Sequence, residues 1–164
     1  MKKISGGERT IRGKVEITSN STGFTERIHL FDGSFATGFR VTRFVVGVNG
    51  ANAGADCIGK LSTMSPSDPT DAFWDWSENS EIGWAAFTMD ATVTPGEGWA
   101  TNNSLVDREN MVIEDLYITV RSRDISDPYV YYYIEMEKYD LSESMGAVTM
   151  VRNRSQGADV TREQ

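Results

Sequence analysis

Cysteine and histidine are almost absent from this chain, which has one of each among its 164 residues. The single Cys57 cannot form an intramolecular disulfide, and a structural zinc site would need about four Cys or His ligands. A Ser-His or Cys-His catalytic arrangement could use only His29, which alternates with Ile28 and Leu30 on the polar side of a predicted strand. We therefore expect no cofactor and no enzyme active site.

Long apolar runs are also missing from the sequence. No stretch approaches the roughly 18 consecutive apolar residues that a membrane-spanning helix requires, so we expect no membrane partner. The length corresponds to one domain, and a domain of this size can bury a core large enough to fold without disulfides. Together these features predict a single soluble domain.

Positive charge is absent from the middle of the chain. Residues 61–107 contain no Lys or Arg, but they contain all four Trp residues and eight carboxylates, in a chain of net charge −8. The first 14 residues have the opposite charge, with one carboxylate against five cations: Lys2, Lys3, Arg9, Arg12 and Lys14. Because residues 1–10 carry Gly and Ser and lack periodicity, we predict that they form a flexible basic N-terminal arm.

The strongest strand pattern lies at residues 129–139, which are almost all aromatic, β-branched or long. Alternation places one apolar set on a single face, namely Val130, Tyr132, Ile134 and Met136. The other face carries Tyr131, Tyr133, Glu135 and Glu137. This pattern is typical of an antiparallel strand with one face in the core and the other towards water or a neighbour.

Six further stretches have strand patterns between turn residues: 11–18, 24–31, 38–48, 57–64, 82–89 and 111–122. Residues 90–110 are predicted to be mostly loop. The number and spacing of strands predict an all-β fold, an antiparallel β-sandwich of jelly-roll type with about seven or eight strands. A single-chain barrel is the second choice.

The spacing of apolar residues changes near the end of the chain. Leu141, Met145, Val148 and Val151 recur at helical spacing, which predicts a short helix at about 141–155, with an eighth strand as the alternative. We predict one sandwich domain at 11–157, followed by a polar tail at 158–164.

Carboxylates recur every three or four residues in the acidic segment at 65–81: Asp68, Asp71, Asp75 and Glu78. Such a loop could supply oxygen ligands to Ca²⁺, although the EF-hand spacing is absent. The favoured interpretation is a solvated acidic loop without a metal, with these four residues as weak metal candidates. A pair of carboxylates flanking a glycosidic bond is the interpretation ranked last.

Aromatic residues in the same segment, Phe73, Trp74 and Trp76, could stack on sugar rings. Nucleic-acid bases would also need a positive groove, which this segment lacks. The rings could instead anchor the loop to the sandwich or serve as protein–protein contacts. We take them, together with Tyr131 and Tyr133, as interface candidates.

The basic arm has three interpretations. Its cations could contact phosphates, pair with the acidic segment of a neighbouring copy, or only increase solubility. Nucleic acid is therefore expected as a partner only through this arm.

Three stretches, at 11–19, 82–87 and 130–139, resemble in their residue pattern small β-sandwich proteins that build or decorate the capsids of bacterial, especially marine, viruses. The resemblance extends over about residues 11–155 and carries over no catalytic residue. It implies a jelly-roll capsid or capsid-associated subunit in the virion, with other copies of itself and other virion proteins as partners. The alternative is a lectin-like receptor-binding module that binds surface glycans through the Trp-rich segment.

Overall fold

The computed structural model describes residues 1–48, 55–89, 100–123, 128–141, 145–149 and 151. Among these residues the chain is almost entirely β. Its eight strands are β1 (Lys2–Glu16), β2 (Phe24–His29), β3 (Thr37–Val48), β4 (Asp56–Ser62), β5 (Glu81–Met89), β6 (Ala100–Val106), β7 (Asp115–Ser122) and β8 (Tyr129–Asp140). Residues 145–149 and 151 are helical.

The strands form two antiparallel sheets. A three-stranded sheet has the order β1-β8-β3, and a five-stranded sheet has the order β2-β7-β4-β5-β6. Strand β1 pairs with β8, β2 with β7 and β4 with β5, while β3 lies against β6. The first half of the chain thus meets the second half in reverse order, as in a long hairpin rolled into two layers. This is the jelly-roll arrangement, and the predicted fold class is confirmed.

The core lies between the two sheets, and β8 supplies much of one side. Ile134 stands opposite Ile11 of β1 and Phe44 of β3, and its side chain is fully buried. The whole face predicted to be apolar is buried, with Val130, Tyr132 and Met136 beside Ile134. Since alternate residues of an antiparallel strand point to opposite sides, Tyr131 and Tyr133 lie on the outer face of the sheet.

The first ten residues correct the predicted flexible arm. Strand β1 begins at Lys2, and Lys2 and Lys3 stand opposite Asp140 and Tyr139 of β8. The ladder is interrupted between Lys3 and Glu8, where Gly6 has a φ of 70°, a conformation that suits glycine. The segment forms a strand despite its weak local pattern because β8 is long enough to provide backbone partners to its end.

The stretch 90–110, predicted to be mostly loop, contains β6. Asn102, Asn103 and Ser104 have poor strand propensity, but they stand opposite Phe87, Ala86 and Ala85 in a regular ladder with β5. Strand formation here follows from the partner rather than from the local sequence. Residues 90–99 lie outside the described part of the chain.

Within the helix predicted at about 141–155, residues 145–149 and 151 are helical and Leu141 is not. The Leu141 backbone N–H donates to the Ala36 carbonyl at 2.6 Å. Gly146, a poor helix former, lies so close to Phe35 that a Cβ there would overlap with the Phe35 carbonyl oxygen. Residues 152–164, and with them the predicted domain end and polar tail, lie outside the described residues.

Candidate functional site

The acidic loop, residues 63–80 between β4 and β5, covers the outer face of the five-stranded sheet. Leu61 and Gly59 of β4 face the core: Leu61 is fully buried, and a Cβ at Gly59 would lie 2.8 Å from Val46. Lys60 therefore points outward, beside Trp84 of β5. Lys60 and Trp84 are nevertheless only 5% and 8% exposed, because the loop lies over them.

A buried ion pair fixes this loop to the sheet. Lys60 Nζ donates to Glu81 Oε1 at 2.7 Å and to the Phe73 carbonyl at 2.8 Å. Glu81 Oε2 accepts from the Asp75 backbone N–H at 3.0 Å and from Trp84 Nε1 at 2.8 Å. Charged groups are rarely buried unless paired and hydrogen-bonded, and here both conditions are met.

Two further hydrogen bonds attach the loop to the rest of the chain. Trp74 Nε1 donates to the Gly59 carbonyl at 3.2 Å, and the Gly23 N–H donates to the Thr70 carbonyl at 2.6 Å. No sequence motif marks Lys60 and Glu81, which form the centre of this arrangement. The available signal was the position of Lys60, the last cation before the cation-free stretch.

The four carboxylates considered as weak metal candidates stabilise turns within the acidic loop. Each accepts a backbone hydrogen bond from the residue two positions later, in the pairs Asp68–Thr70, Asp71–Phe73, Asp75–Ser77 and Glu78–Ser80. Such local bonds are characteristic of Asp in turns. Among the described residues no group of three or more His, Cys, Asp or Glu could hold a metal ion. The regular spacing of these acids follows from the turns they close.

Hydroxyl donors strengthen two of these turns. The Thr70 hydroxyl donates to Asp68 and the Ser77 hydroxyl donates to Asp75, and these bonds are the main reason that the pKa of each carboxyl lies below its ordinary value. Both groups thus remain ionised at neutral pH. Together with Asp71 they line an open cavity of about 210 Å³.

Aromatic rings project from the acidic loop. Phe73 is 62% exposed, Trp74 37% and Trp76 69%. The Trp74 and Trp76 rings stack with centroids 6.3 Å apart, and Trp76 meets Trp84 edge-on at the same distance. Trp74 is therefore both an anchor and part of the surface, whereas Trp76 is mainly surface. The Arg121 guanidinium lies 5.2 Å from the Phe73 ring centroid.

The second candidate surface is the tyrosine face, the outer side of the three-stranded sheet around Tyr131 and Tyr133. Both rings are half-buried. Lys14 stands opposite Tyr131, and Arg12 stands opposite Tyr133. On the other side, β3 contributes Arg43, Val45 and Gly47. Cations and small apolar residues thus flank the two phenol rings, and the Tyr133 hydroxyl donates to Glu135 at 2.8 Å.

An open cavity of about 380 Å³ lies beside this surface. Its lining includes Arg12, Val45, Gly47 and Tyr131–Tyr133 of the three-stranded sheet, together with Phe87 and Asn102 of the five-stranded sheet. Nothing lies within 4 Å of the position that a Cβ would take at Gly47, so the glycine leaves space beside the tyrosines. The cavity gives the face room to receive a side chain from outside.

The cations predicted to act together as an arm are distributed along β1. Lys3 Nζ binds Glu137 at 2.6 Å, which raises the pKa of Lys3 and lowers that of Glu137. Arg9 lies 5.8 Å from the Phe39 ring centroid, and Lys14 lies 3.8 Å from that of Tyr129. Lys3 is thus engaged within its own chain, while Lys2 lies near one end of β1 and Arg12 borders the tyrosine face.

The structure separates the two groups of interface candidates. Phe73, Trp74 and Trp76 lie outside the five-stranded sheet, whereas Tyr131 and Tyr133 lie outside the three-stranded sheet. Because the two sheets enclose one core, their outer faces point in opposite directions. The chain therefore presents an acidic aromatic surface on one side and a basic aromatic surface on the other.

No helix among the described residues has both the length and the apolar character needed to cross a membrane. No protein-family model matches the chain, and comparisons with curated proteins and with solved structures likewise return no match.

Proposed function

We propose that this protein is a non-enzymatic structural subunit of a virion, a capsid or capsid-associated jelly-roll protein that assembles with copies of itself. The acidic loop is the observation that carries the proposal. Phe73 and Trp76 are held towards solvent by a loop that is pinned at its base by Lys60 and Glu81. Large aromatic side chains held in this way are the usual anchors of protein–protein interfaces.

The fold and the charge distribution support this proposal. Jelly rolls occur in viral capsid domains, and also in lectins and cupins, so the fold alone does not decide between functions. The additional support is the basic aromatic surface at Tyr131 and Tyr133, opposite the acidic one. Complementary surfaces steer association and fix which patches meet.

Sedimentation velocity of the purified chain tests the proposal. We expect oligomers whose amount rises with protein concentration and falls with added salt, because salt screens charge–charge attraction between exposed groups. Electron microscopy of the concentrated sample should then reveal closed rings or shells. A chain that remains monomeric at high concentration, in both low and high salt, would contradict the proposal.

A glycan-binding role is the second candidate, and one observation favours it. Trp76 is exposed beside Asp75 and close in sequence to Asp71 and Glu78, which line the 210 Å³ cavity. An indole face can stack on a sugar ring, and carboxylates can accept hydrogen bonds from its hydroxyl groups. A glycan array followed by calorimetry would detect this activity, and Trp76→Ala should abolish it. A monomer that binds a glycan favours this role over the structural one.

A further inference from the structure

We propose that copies of this chain join head to tail, with the acidic loop of one copy docked on the tyrosine face of the next. This inference rests on the proposed function, because it specifies how the self-association occurs. The partner is a second copy of the chain, and the contacting segments are residues 63–80 on one side and strands β1, β8 and β3 on the other.

Charge complementarity identifies the partner. The acidic loop contains no Lys or Arg, while it carries Asp68, Asp71, Asp75 and Glu78. The cation beneath it, Lys60, is buried and paired with Glu81, so it does not offset the charge at the loop surface. Arg121, over the Phe73 ring, is a cation at the edge of this surface. The loop therefore presents a negative surface around its aromatic rings.

The tyrosine face carries the opposite charge. Arg12 and Lys14 are exposed at one border of this face and Arg43 is exposed at the other. Glu135 lies on the same face, but it accepts from the Tyr133 hydroxyl at 2.8 Å and pairs with Arg43 at 3.6 Å. Glu16 lies at the end of β1, opposite Tyr129. The centre of the face is therefore basic, which suits the acidic loop.

Shape supports the same pairing. The 380 Å³ cavity beside the tyrosine face is lined by Gly47 and Tyr131–Tyr133, and also by Phe87 and Asn102 of the five-stranded sheet. Trp76 is the most exposed aromatic residue of the acidic loop. An indole that enters such a cavity can meet the tyrosine rings in offset or edge-on contacts, while the flanking Asp and Glu residues reach the surrounding cations. Trp, Tyr and Arg are the residue types that contribute most to interface affinity.

The positions of the two surfaces determine the symmetry of the assembly. They lie on opposite faces of one sandwich, so one partner cannot occupy both surfaces of the same copy. The contact is therefore heterologous, and repetition produces a ring, a shell or a filament instead of a closed two-fold dimer.

Two variants and their mixture test this arrangement by sedimentation velocity at low salt. Arg12→Glu places a negative charge on the tyrosine face, and Trp76→Ala removes the ring from the acidic loop. We expect each variant alone to lose self-association by more than about tenfold. Mixed together, they should form 1:1 dimers that do not grow further, because only one intact surface of each kind remains.

Matched controls separate docking from folding. Lys2→Glu makes the same charge change at the far end of β1, and Leu105→Ala removes an exposed apolar side chain (56% exposed) from β6. Both should assemble like the wild type. All four variants should keep the wild-type thermal unfolding midpoint within a few degrees, since surface substitutions usually change stability little.

The outcomes distinguish this inference from the proposed function. A wild-type chain that is monomeric at every concentration and salt overturns both. If the wild type assembles, and either Arg12→Glu or Trp76→Ala assembles equally well, the head-to-tail contact is wrong while the structural role stands. The same holds if both variants are monomeric but their mixture forms no dimer.

Discussion

Lys60 and Glu81 form an ion pair at 2.7 Å in which only 7% and 4% of the two side chains are exposed. Lys60 belongs to β4, and Glu81 is the first residue of β5. The loop between these strands returns over the pair and hydrogen-bonds to both residues through Phe73 and Asp75. The pair therefore connects the sheet to the surface on which the proposed assembly depends.

Removing one member of this pair should be strongly destabilising. Lys60→Met leaves the Glu81 carboxylate buried without its cation, and the expected cost is about 3–5 kcal/mol. Urea unfolding followed by tryptophan fluorescence measures this cost. As a control, Lys2→Met removes an exposed lysine of β1 and should cost less than about 0.5 kcal/mol. Equal stability of the two variants would show that the buried pair does not hold the loop.

Ile134 tests which face of β8 is in the core. Its side chain is fully buried between β1 and β3, so Ile134→Ala should cost about 2–5 kcal/mol in urea unfolding. Val45→Ala, on the outer face of the neighbouring strand, is the control and should cost less than about 1 kcal/mol because the side chain is only half-buried. A loss below about 1 kcal/mol at Ile134 would contradict the assigned face.

The Tyr132 ring leaves no room for a side chain at Gly13. A Cβ at Gly13 would lie 2.5 Å from Cζ of the Tyr132 ring, so Gly13→Ala should cost about 1–3 kcal/mol through overpacking. The cost should shrink in a Tyr132→Val background, because the overlapping ring is gone. Gly47→Ala is the matched control, since nothing lies near its Cβ position, and its effect on the unfolding midpoint should be small. Additive costs for Gly13 and Tyr132 would count against this explanation.

Low pH should destabilise the acidic loop because Asp75 becomes protonated. The Ser77 hydroxyl and backbone N–H hold the pKa of this carboxyl below its ordinary value of 3.8. A carboxyl with a lowered folded-state pKa contributes its stability above the unfolded value, and loses this contribution as the pH falls through the folded value. Asp75→Asn cannot titrate, so its stability should fall less steeply than that of the wild type below about pH 4.

A second variant at the same turn checks the cause. Ser77→Ala removes the hydroxyl donor, so the pKa of Asp75 should move back towards its ordinary value and the acid transition of the loop should begin at higher pH. Tryptophan fluorescence reports the loop through Trp74 and Trp76. If stability depends on pH in the same way for the wild type and both variants, this hydrogen bond does not contribute to the stability of the loop.

The sequence alone determined the fold class and the composition of the two surfaces. Strict alternation at residues 129–139 identified the buried face of β8, because side chains of a strand point alternately to its two sides. The sequence also identified Phe73 and Trp76 as interface candidates in a charged, Pro-containing segment, but whether these rings anchor the loop or face solvent was decided by the structure. These features follow from the order of neighbouring residues, which can be read directly from the sequence.

Tertiary structure decided the features whose partners are distant in sequence. Lys2–Thr10 became part of β1 and residues 100–106 became β6 because β8 and β5 supplied backbone hydrogen bonds, which no local propensity reports. Lys60 and Glu81 met only because β4 and β5 are adjacent. Likewise, the jelly-roll order alone put the acidic loop and the tyrosine face on opposite sides. Register and sheet order depend on pairing between strands that are distant in sequence, so only the tertiary structure determines them.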